Sequence, residues 1–147
     1  MRVAYLRAHG PYKTSFASAW EKFGAWLHGR GFTGAGLRKY NIALDNPDVT
    51  APDKLRGDVC IEVDDAFQPE GEVGVQIIPG GLYAVASHVG PWTLVGLAWH
   101  WLFNVWLPRS GKHFRLAPAY DQFRCGAETP LEDWVVEIHV PVELPTR

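Results

Sequence analysis

The fold is decided by a segment that occurs twice: first as Val3-Ala4-Tyr5-Leu6-Arg7-Ala8-His9-Gly10-Pro11-Tyr12, then as Tyr83-Ala84-Val85-Ala86-Ser87-His88-Val89-Gly90-Pro91-Trp92. In each copy a run with strand character ends at a Gly-Pro-aromatic triplet. Proline suits the first turn of a helix, because its missing N–H leaves no hydrogen bond unmade there. Both segments therefore predict a strand that leads directly into a helix.

Each half continues in the same order after this segment. Helical spacing of apolar residues predicts helices over Thr14 to Gly29 and over Trp92 to Leu107. Each helix is followed by a loop and by a strand near Tyr40 or Tyr120. The last strands are predicted over Asp58 to Val63 and over Trp134 to Val140. The predicted fold is α+β, a duplicated strand-helix-strand-strand module with antiparallel sheets, two helices and a cleft between pseudo-symmetric halves.

The two half-repeats are expected to form one domain over residues 1–147. They cover about 1–65 and 75–147, with a connector from Asp64 to Gly74 and a short strand from Val75 to Ile78. About 70 residues on their own bury only a marginal core, which favours one domain over two.

Composition and charge exclude several classes of protein. The 147 residues carry 14 Lys+Arg and 16 Asp+Glu, a formal net charge of -2, so there is no net basic field for direct nucleic-acid binding. The apolar stretch from Leu94 to Leu107 is shorter than the roughly 20 residues of a membrane span. The N-terminus enters a strand without a signal-peptide pattern, so the expected location is the cytoplasm.

No cofactor or metal site is predicted. Cys60 and Cys125 lie far apart and are expected to be free, buried thiols. The six histidines show no metal-ligand spacing. The predicted second helix is apolar nearly all round. Either the chain covers both of its sides, or one side lines a ligand cavity or a subunit contact.

The last strand carries the sharpest local signal. Side chains alternate along a strand, so Val136 and Ile138 share the face toward the helices. Glu137 and His139 then share the other face. When the two last strands are aligned on their apolar residues, Cys60 matches Glu137, so one half alone carries the central acid.

Three interpretations of Glu137 are open at this point. A carboxylate among aromatic residues can hold an organic cation. With a raised pKa it can act as a general acid or base. It can also face solvent on a one-sided antiparallel sheet.

Three stretches resemble a known family. Residues 45–60, DNPDVTAPDKLRGDVC, resemble the D-N-P-x-x-T-P-x-x-x-R-x-D-x-x signature of the GyrI-like small-molecule-binding family. Residues 79–85, PGGLYAV, resemble its G-G-x-Y-A-V segment, and residues 134–141, WVVEIHVP, resemble its closing acidic strand. The family includes the bacterial DNA gyrase inhibitory protein and the effector-binding domains of AraC-type and MerR-type multidrug regulators.

This resemblance implies a stand-alone protein that binds a hydrophobic, aromatic or cationic small molecule in a central cleft, for drug or toxin sensing or resistance. It implies two alternatives: a hydrolase of cyclopropane-bearing electrophilic toxins, and an inhibitor of DNA gyrase that acts by protein contact. In the hydrolase, Glu137 would be the general acid or base, assisted by Tyr120 or Tyr40. The candidate ligand-binding residues are Glu137, Tyr83, Trp92, Trp99, Phe103, Trp106 and His139.

Overall fold

The computed structural model describes residues 1–32, 36–125 and 128–145. The chain divides into two compact units, Met1–Ile78 and Pro79–Arg147. The first unit contains β1 (Arg2–His9), α1 (Tyr12–Gly29), β2 (Lys39–Ala43), β3 (Arg56–Glu62) and β4 (Gly74–Ile77). The second contains β5 (Tyr83–Val89), α2 (Val95–Trp101), α3 (Leu107–Ser110), β6 (His113–Phe114), β7 (Tyr120–Phe123) and β8 (Val135–Glu143).

Each unit places its strands in an antiparallel arrangement. The strand order is β4-β1-β3-β2 in the first unit and β7-β8-β5 in the second, where β6 also pairs with β8. Apart from β4 in the first unit and the two-residue β6 in the second, both units follow the order strand, helix, strand, strand. The predicted α+β class and the duplicated module are confirmed.

The structure differs from the prediction at the join between the repeats. The strand predicted over Val75 to Ile78 is β4, and it pairs with β1 of the first unit. The boundary between the compact units therefore lies after Ile78 and not before Val75. A four-residue strand carries no signal in the sequence that identifies its pairing partner.

The second helix is interrupted. It begins with a 3-10 turn at Trp92–Leu94, and a π-helical segment, Leu102–Trp106, joins α2 to α3. The helix is apolar nearly all round, so the spacing of its apolar residues does not reveal this change of helical pitch. β6, with only two residues, was also not predicted.

α1 packs as its pattern predicts. Its buried residues are Phe16, Ala19, Phe23 and Leu27. Trp20 is half-buried, and its Nε1 donates a hydrogen bond to Asn41 Oδ1 at 2.7 Å. Residues 33–35 of the predicted loop after this helix lie outside the described residues.

The core of the second unit lies on the helix side of its sheet. Its buried residues are Val95, Leu102, Val136, Ile138, Val140 and Val142. The half-buried side chains of Trp92, Trp99, Phe103 and Trp106 pack against this cluster. The apolar second helix is thus covered mainly by its own unit, although Leu94, Leu97 and Trp101 stay exposed.

Two further expectations concern thiols and membranes. Both cysteines are free; Cys60 is buried, but Cys125 is only half-buried because it lies beyond the end of β7.

Within the described ranges, no helix combines the length and the apolar character needed to cross a membrane.

Candidate functional site

Glu137 lies in the middle of β8, on the face of the strand that points away from the helices. Val136 and Ile138, its neighbours in sequence, belong to the helix-side core. Because side chains alternate along a strand, Glu137 and His139 share the opposite face. The pairing of β8 with β7 sets Tyr120 opposite His139 and Gln122 opposite Glu137. The structure therefore has Val136 and Ile138 on one face of β8 and Glu137 and His139 on the other, as the alternation of side chains predicts.

An aromatic wall of three rings lies beside Glu137. The rings of Tyr120 and His139 stack, with centroids 4.5 Å apart and planes at 13°. Tyr83 meets both edge-on, with its centroid 5.5 Å from that of Tyr120 and 6.2 Å from that of His139. Cross-strand pairing brings Tyr120 and His139 together, since residues directly opposite on antiparallel strands have adjacent side chains.

Tyr83 is held in place by contacts outside the wall. Its hydroxyl donates a hydrogen bond to the Pro79 carbonyl at 3.1 Å. The Arg115 guanidinium lies 5.0 Å from the centre of its ring and donates to the Leu82 carbonyl at 3.1 Å. The wall thus already contains one cation–π contact within the chain's own residues.

The carboxylate of Glu137 has one arginine partner among the residues that the structure describes. Arg124 Nε lies 3.2 Å from Glu137 Oε1, and the side chains of Arg124 and Glu137 are 52% and 25% exposed. His139 Nε2 lies 3.7 Å from Glu137 Oε2, which is longer than a hydrogen bond. His139 Nε2 is buried and has no hydrogen-bond partner in the described part of the chain.

Two titratable groups of the wall are shifted by burial. Burial lowers the pKa of His139 below its usual value, although the charge of Glu137 acts in the opposite direction. The imidazole is therefore neutral at pH 7. Burial, with a smaller effect of Tyr83, raises the pKa of Tyr120. The Tyr120 phenol stays protonated at neutral pH, so it can donate a hydrogen bond but is not a base.

The register of the strands corrects the alignment of the two repeats. Cys60 lies opposite Tyr40 on β2, just as His139 lies opposite Tyr120 on β7. Cys60 is thus the counterpart of His139. The residue two positions earlier, Asp58, is the counterpart of Glu137. Each half carries an acid at this position, and the apolar alignment was wrong by two residues.

The acid of the first unit is fully compensated. Asp58 is completely buried. Arg7 donates to both of its oxygens, from Nε at 2.9 Å and from Nη2 at 3.1 Å, and Gln76 Nε2 donates at 2.8 Å. Glu137 has a longer ionic contact, at 3.2 Å from Arg124, and is partly open to solvent. Of the two related acids, Glu137 is the less completely compensated.

The candidate residues divide into two groups. Glu137, His139, Tyr120 and Tyr83 lie together, as the distances above show. Trp92, Trp99, Phe103 and Trp106 pack on the helix side of the same sheet, and the structure does not bring them together with Glu137. Trp99 Nε1 donates to Asp121 Oδ1 at 2.7 Å. Tyr40 belongs to the first unit, where its hydroxyl donates to Glu62 Oε2 at 3.4 Å.

Sequence reasoning missed Arg124 and Arg115. Arg124 follows β7, and its backbone N–H donates to the Val135 carbonyl, which brings it beside β8. The alternation of Tyr120, Gln122 and Arg124 is visible in the sequence and puts them on one face. Only the pairing register shows that this face is shared with Glu137.

The arrangement suits the binding of a positively charged aromatic molecule. It combines a carboxylate, half-buried apolar ring surface and limited access to water. In the described part of the chain, no three His, Cys, Asp or Glu side chains are grouped so as to hold a metal ion.

Known proteins are similar to this chain in sequence or in fold. A DNA gyrase inhibitor from Edwardsiella ictaluri is 31% identical over 141 residues, which are 93% of this chain and 88% of the relative. The crystal structure of the EcmrR C-terminal domain matches with a TM-score of 0.79 at 20% identity and covers 98% of this chain and 92% of that one.

A further solved structure, SAV2435 bound to tetraphenylphosphonium, matches with a TM-score of 0.58 at 14% identity and covers 97% of this chain and 88% of that one. Residues 1–143 match the family described as the GyrI-like small molecule binding domain. The chain therefore belongs to the family of GyrI-like small-molecule-binding domains.

Proposed function

We propose that this protein binds an organic cation through Glu137, with the stacked rings of Tyr120 and His139 as the adjoining apolar surface. The observation that carries the proposal is the contrast between the two related acids. Asp58 receives three hydrogen bonds inside the first unit. Glu137 has one arginine contact at 3.2 Å and remains partly exposed.

The ligand's charge follows from this unequal compensation. Glu137 is partly removed from water, and among the described residues its arginine contact is a single one at 3.2 Å, so its carboxylate attracts a cationic ligand. A ring face within about 6 Å of a cation adds an estimated 0.5–2 kcal/mol, depending on desolvation. The Tyr120, His139 and Tyr83 rings supply such surface beside Glu137.

A fold neighbour supports the choice of ligand class. The SAV2435 structure contains tetraphenylphosphonium, a hydrophobic aromatic cation. At 14% identity that structure bears on the fold and suggests a probe. Together with the charge and ring surface around Glu137, it supports hydrophobic cations in preference to neutral or anionic compounds.

The experiment is a calorimetric titration of the purified chain with tetraphenylphosphonium. The Glu137→Gln variant keeps the size of the side chain and removes its charge. We expect this change to weaken binding by roughly tenfold or more, since a charge pair near a protein surface at close range contributes more than about 1 kcal/mol.

Glu143→Gln is the matched control. Glu143 is exposed at the far end of the same strand, so the identical substitution there should leave the affinity within about twofold. If the wild-type chain does not bind the probe, or if Glu137→Gln binds it as tightly as wild type, the proposal is wrong.

A further inference from the structure

We propose that Arg124 is a resident counter-cation that a ligand must displace from Glu137, so that Arg124 sets the affinity and charge selectivity of the site. This inference rests on the proposed function. It adds a specificity-determining residue that acts by competing with the ligand for one carboxylate.

The position of Arg124 fits a competitor. Its backbone N–H donates to the Val135 carbonyl at 2.9 Å, which fixes its main chain two residues from Glu137 along β8. From there its side chain reaches Glu137 Oε1 at 3.2 Å. A cationic ligand that approaches the Glu137 carboxylate finds the Arg124 guanidinium already in contact with that carboxylate.

The contact is of a kind that can be exchanged. In the first unit, Arg7 grips both oxygens of its acid, and Gln76 adds a third hydrogen bond. Arg124 lies 3.2 Å from Glu137 Oε1, and half of its side chain is exposed. An ion pair of this exposure contributes little to stability, because water solvates both partners and holding a long side chain costs entropy.

Exchange keeps the charge of the site balanced. Without a ligand, Arg124 compensates Glu137. With a ligand in its place, the ligand's cation compensates Glu137 and the guanidinium of Arg124 returns to water. Neutral aromatic compounds have no charge to exchange, so removing Arg124 should change their affinity far less than the affinity of cations.

The test compares two probes of the same ring system, 1-naphthylmethylammonium and neutral 1-naphthylmethanol, on wild type and Arg124→Gln. We expect Arg124→Gln to bind the ammonium about three- to tenfold more tightly, since the competing charge is gone. Its affinity for the alcohol should change by less than about twofold. Arg109→Gln, which removes an exposed arginine from α3, is the matched control and should change neither.

A second measurement follows the wild-type protein directly. The side-chain Nε–H signal of Arg124 in a nitrogen-15 NMR spectrum should shift as the ammonium saturates the site, because the guanidinium exchanges Glu137 for water. The alcohol should leave that signal in place.

The outcomes separate the two proposals. If the ammonium binds wild type but Arg124→Gln binds it equally or more weakly, and the Arg124 signal does not move, then Arg124 does not compete and this inference is overturned while the proposed function stands. If neither the ammonium nor tetraphenylphosphonium binds any variant, the proposed function itself fails.

Discussion

Asp121 is a carboxyl group in the core of the second unit. It is 5% exposed and accepts a hydrogen bond from Trp99 Nε1 at 2.7 Å. Burial raises its pKa to about 7, although the hydrogen bond from Trp99 acts in the opposite direction. In the first unit the corresponding residue is Asn41, which accepts from Trp20 Nε1 at the same 2.7 Å. One repeat uses a neutral amide where the other uses a titratable acid.

This difference predicts how stability depends on pH. The folded pKa of about 7 lies above the ordinary value of 3.8, so the folded chain keeps a proton that the unfolded chain releases. The stability that Asp121 contributes is therefore complete below about pH 4 and is lost as the pH rises toward 7. Asp121→Asn removes this loss. Its free energy of unfolding, relative to wild type, should increase between about pH 4.5 and about pH 8 by an amount on the order of 2–4 kcal/mol.

Urea unfolding at both pH values measures this change. The comparison across pH is the informative quantity, because the amide introduced by the substitution brings a constant cost if its N–H groups find no partner. Asp133→Asn, at an exposed acid, is the control and should show no such change. A difference between wild type and Asp121→Asn that is the same at the acidic and the alkaline pH would show that folding does not raise the pKa of this carboxyl.

At the scale of single elements, the contact of α1 with β3 depends on one glycine. A Cβ placed on Gly57 would lie 2.5 Å from two carbon atoms of the Phe16 ring and 3.0 Å from the Ile42 carbonyl oxygen. Phe16 is buried and stacks on Tyr12, so its ring has little room to withdraw. The helix can approach the sheet this closely only because residue 57 has no side chain.

Gly57→Ala should therefore destabilise the protein by roughly 1–3 kcal/mol, the usual cost of overpacking a core. Chemical unfolding measures the loss. Gly24→Ala offers a matched control on α1, because a Cβ there meets nothing within 4 Å. That variant should be more stable by about 0.5–1 kcal/mol, the helix preference of alanine over glycine. If both variants changed the free energy of unfolding in the same direction, the approach of Phe16 to β3 would not be the contact that limits the size of residue 57.

The elements also show where sequence patterns suffice. α1 has one apolar stripe and one polar side, and its buried residues Phe16, Phe23 and Leu27 follow from that stripe. The second helix is apolar nearly all round, so its pattern could not show the π-helical segment Leu102–Trp106. For the same reason it could not show which tryptophans pack into the core.

At the scale of the whole molecule, two repeats share a fold and differ in how they compensate an acid. The order of elements was predictable because the Gly-Pro-aromatic triplets mark the same step in both halves. The faces of β8 were predictable because side chains alternate along any strand. Which residue of β3 corresponds to which residue of β8 was not predictable, because short apolar strands align equally well in neighbouring registers. Only the pairing of β3 with Tyr40 and of β8 with Tyr120 fixes this correspondence.

The site followed from the sequence in part. Glu137, His139, Tyr120 and Tyr83 were candidates from the sequence, and their side chains lie close together in the structure. Arg124 was not predicted, because its contact with Glu137 depends on how β7 pairs with β8. A single sequence does not specify that register.

We propose that the carboxylate of Glu137, and not that of Asp58, is the counter-charge of a bound cation. Carbon-13 NMR of the assigned side-chain carboxyl groups during a titration with tetraphenylphosphonium tests it most directly. We expect the Glu137 signal to move in proportion to the bound fraction while the Asp58 signal stays in place, held by Arg7 and Gln76. A saturated complex in which the Glu137 signal has not moved would contradict it.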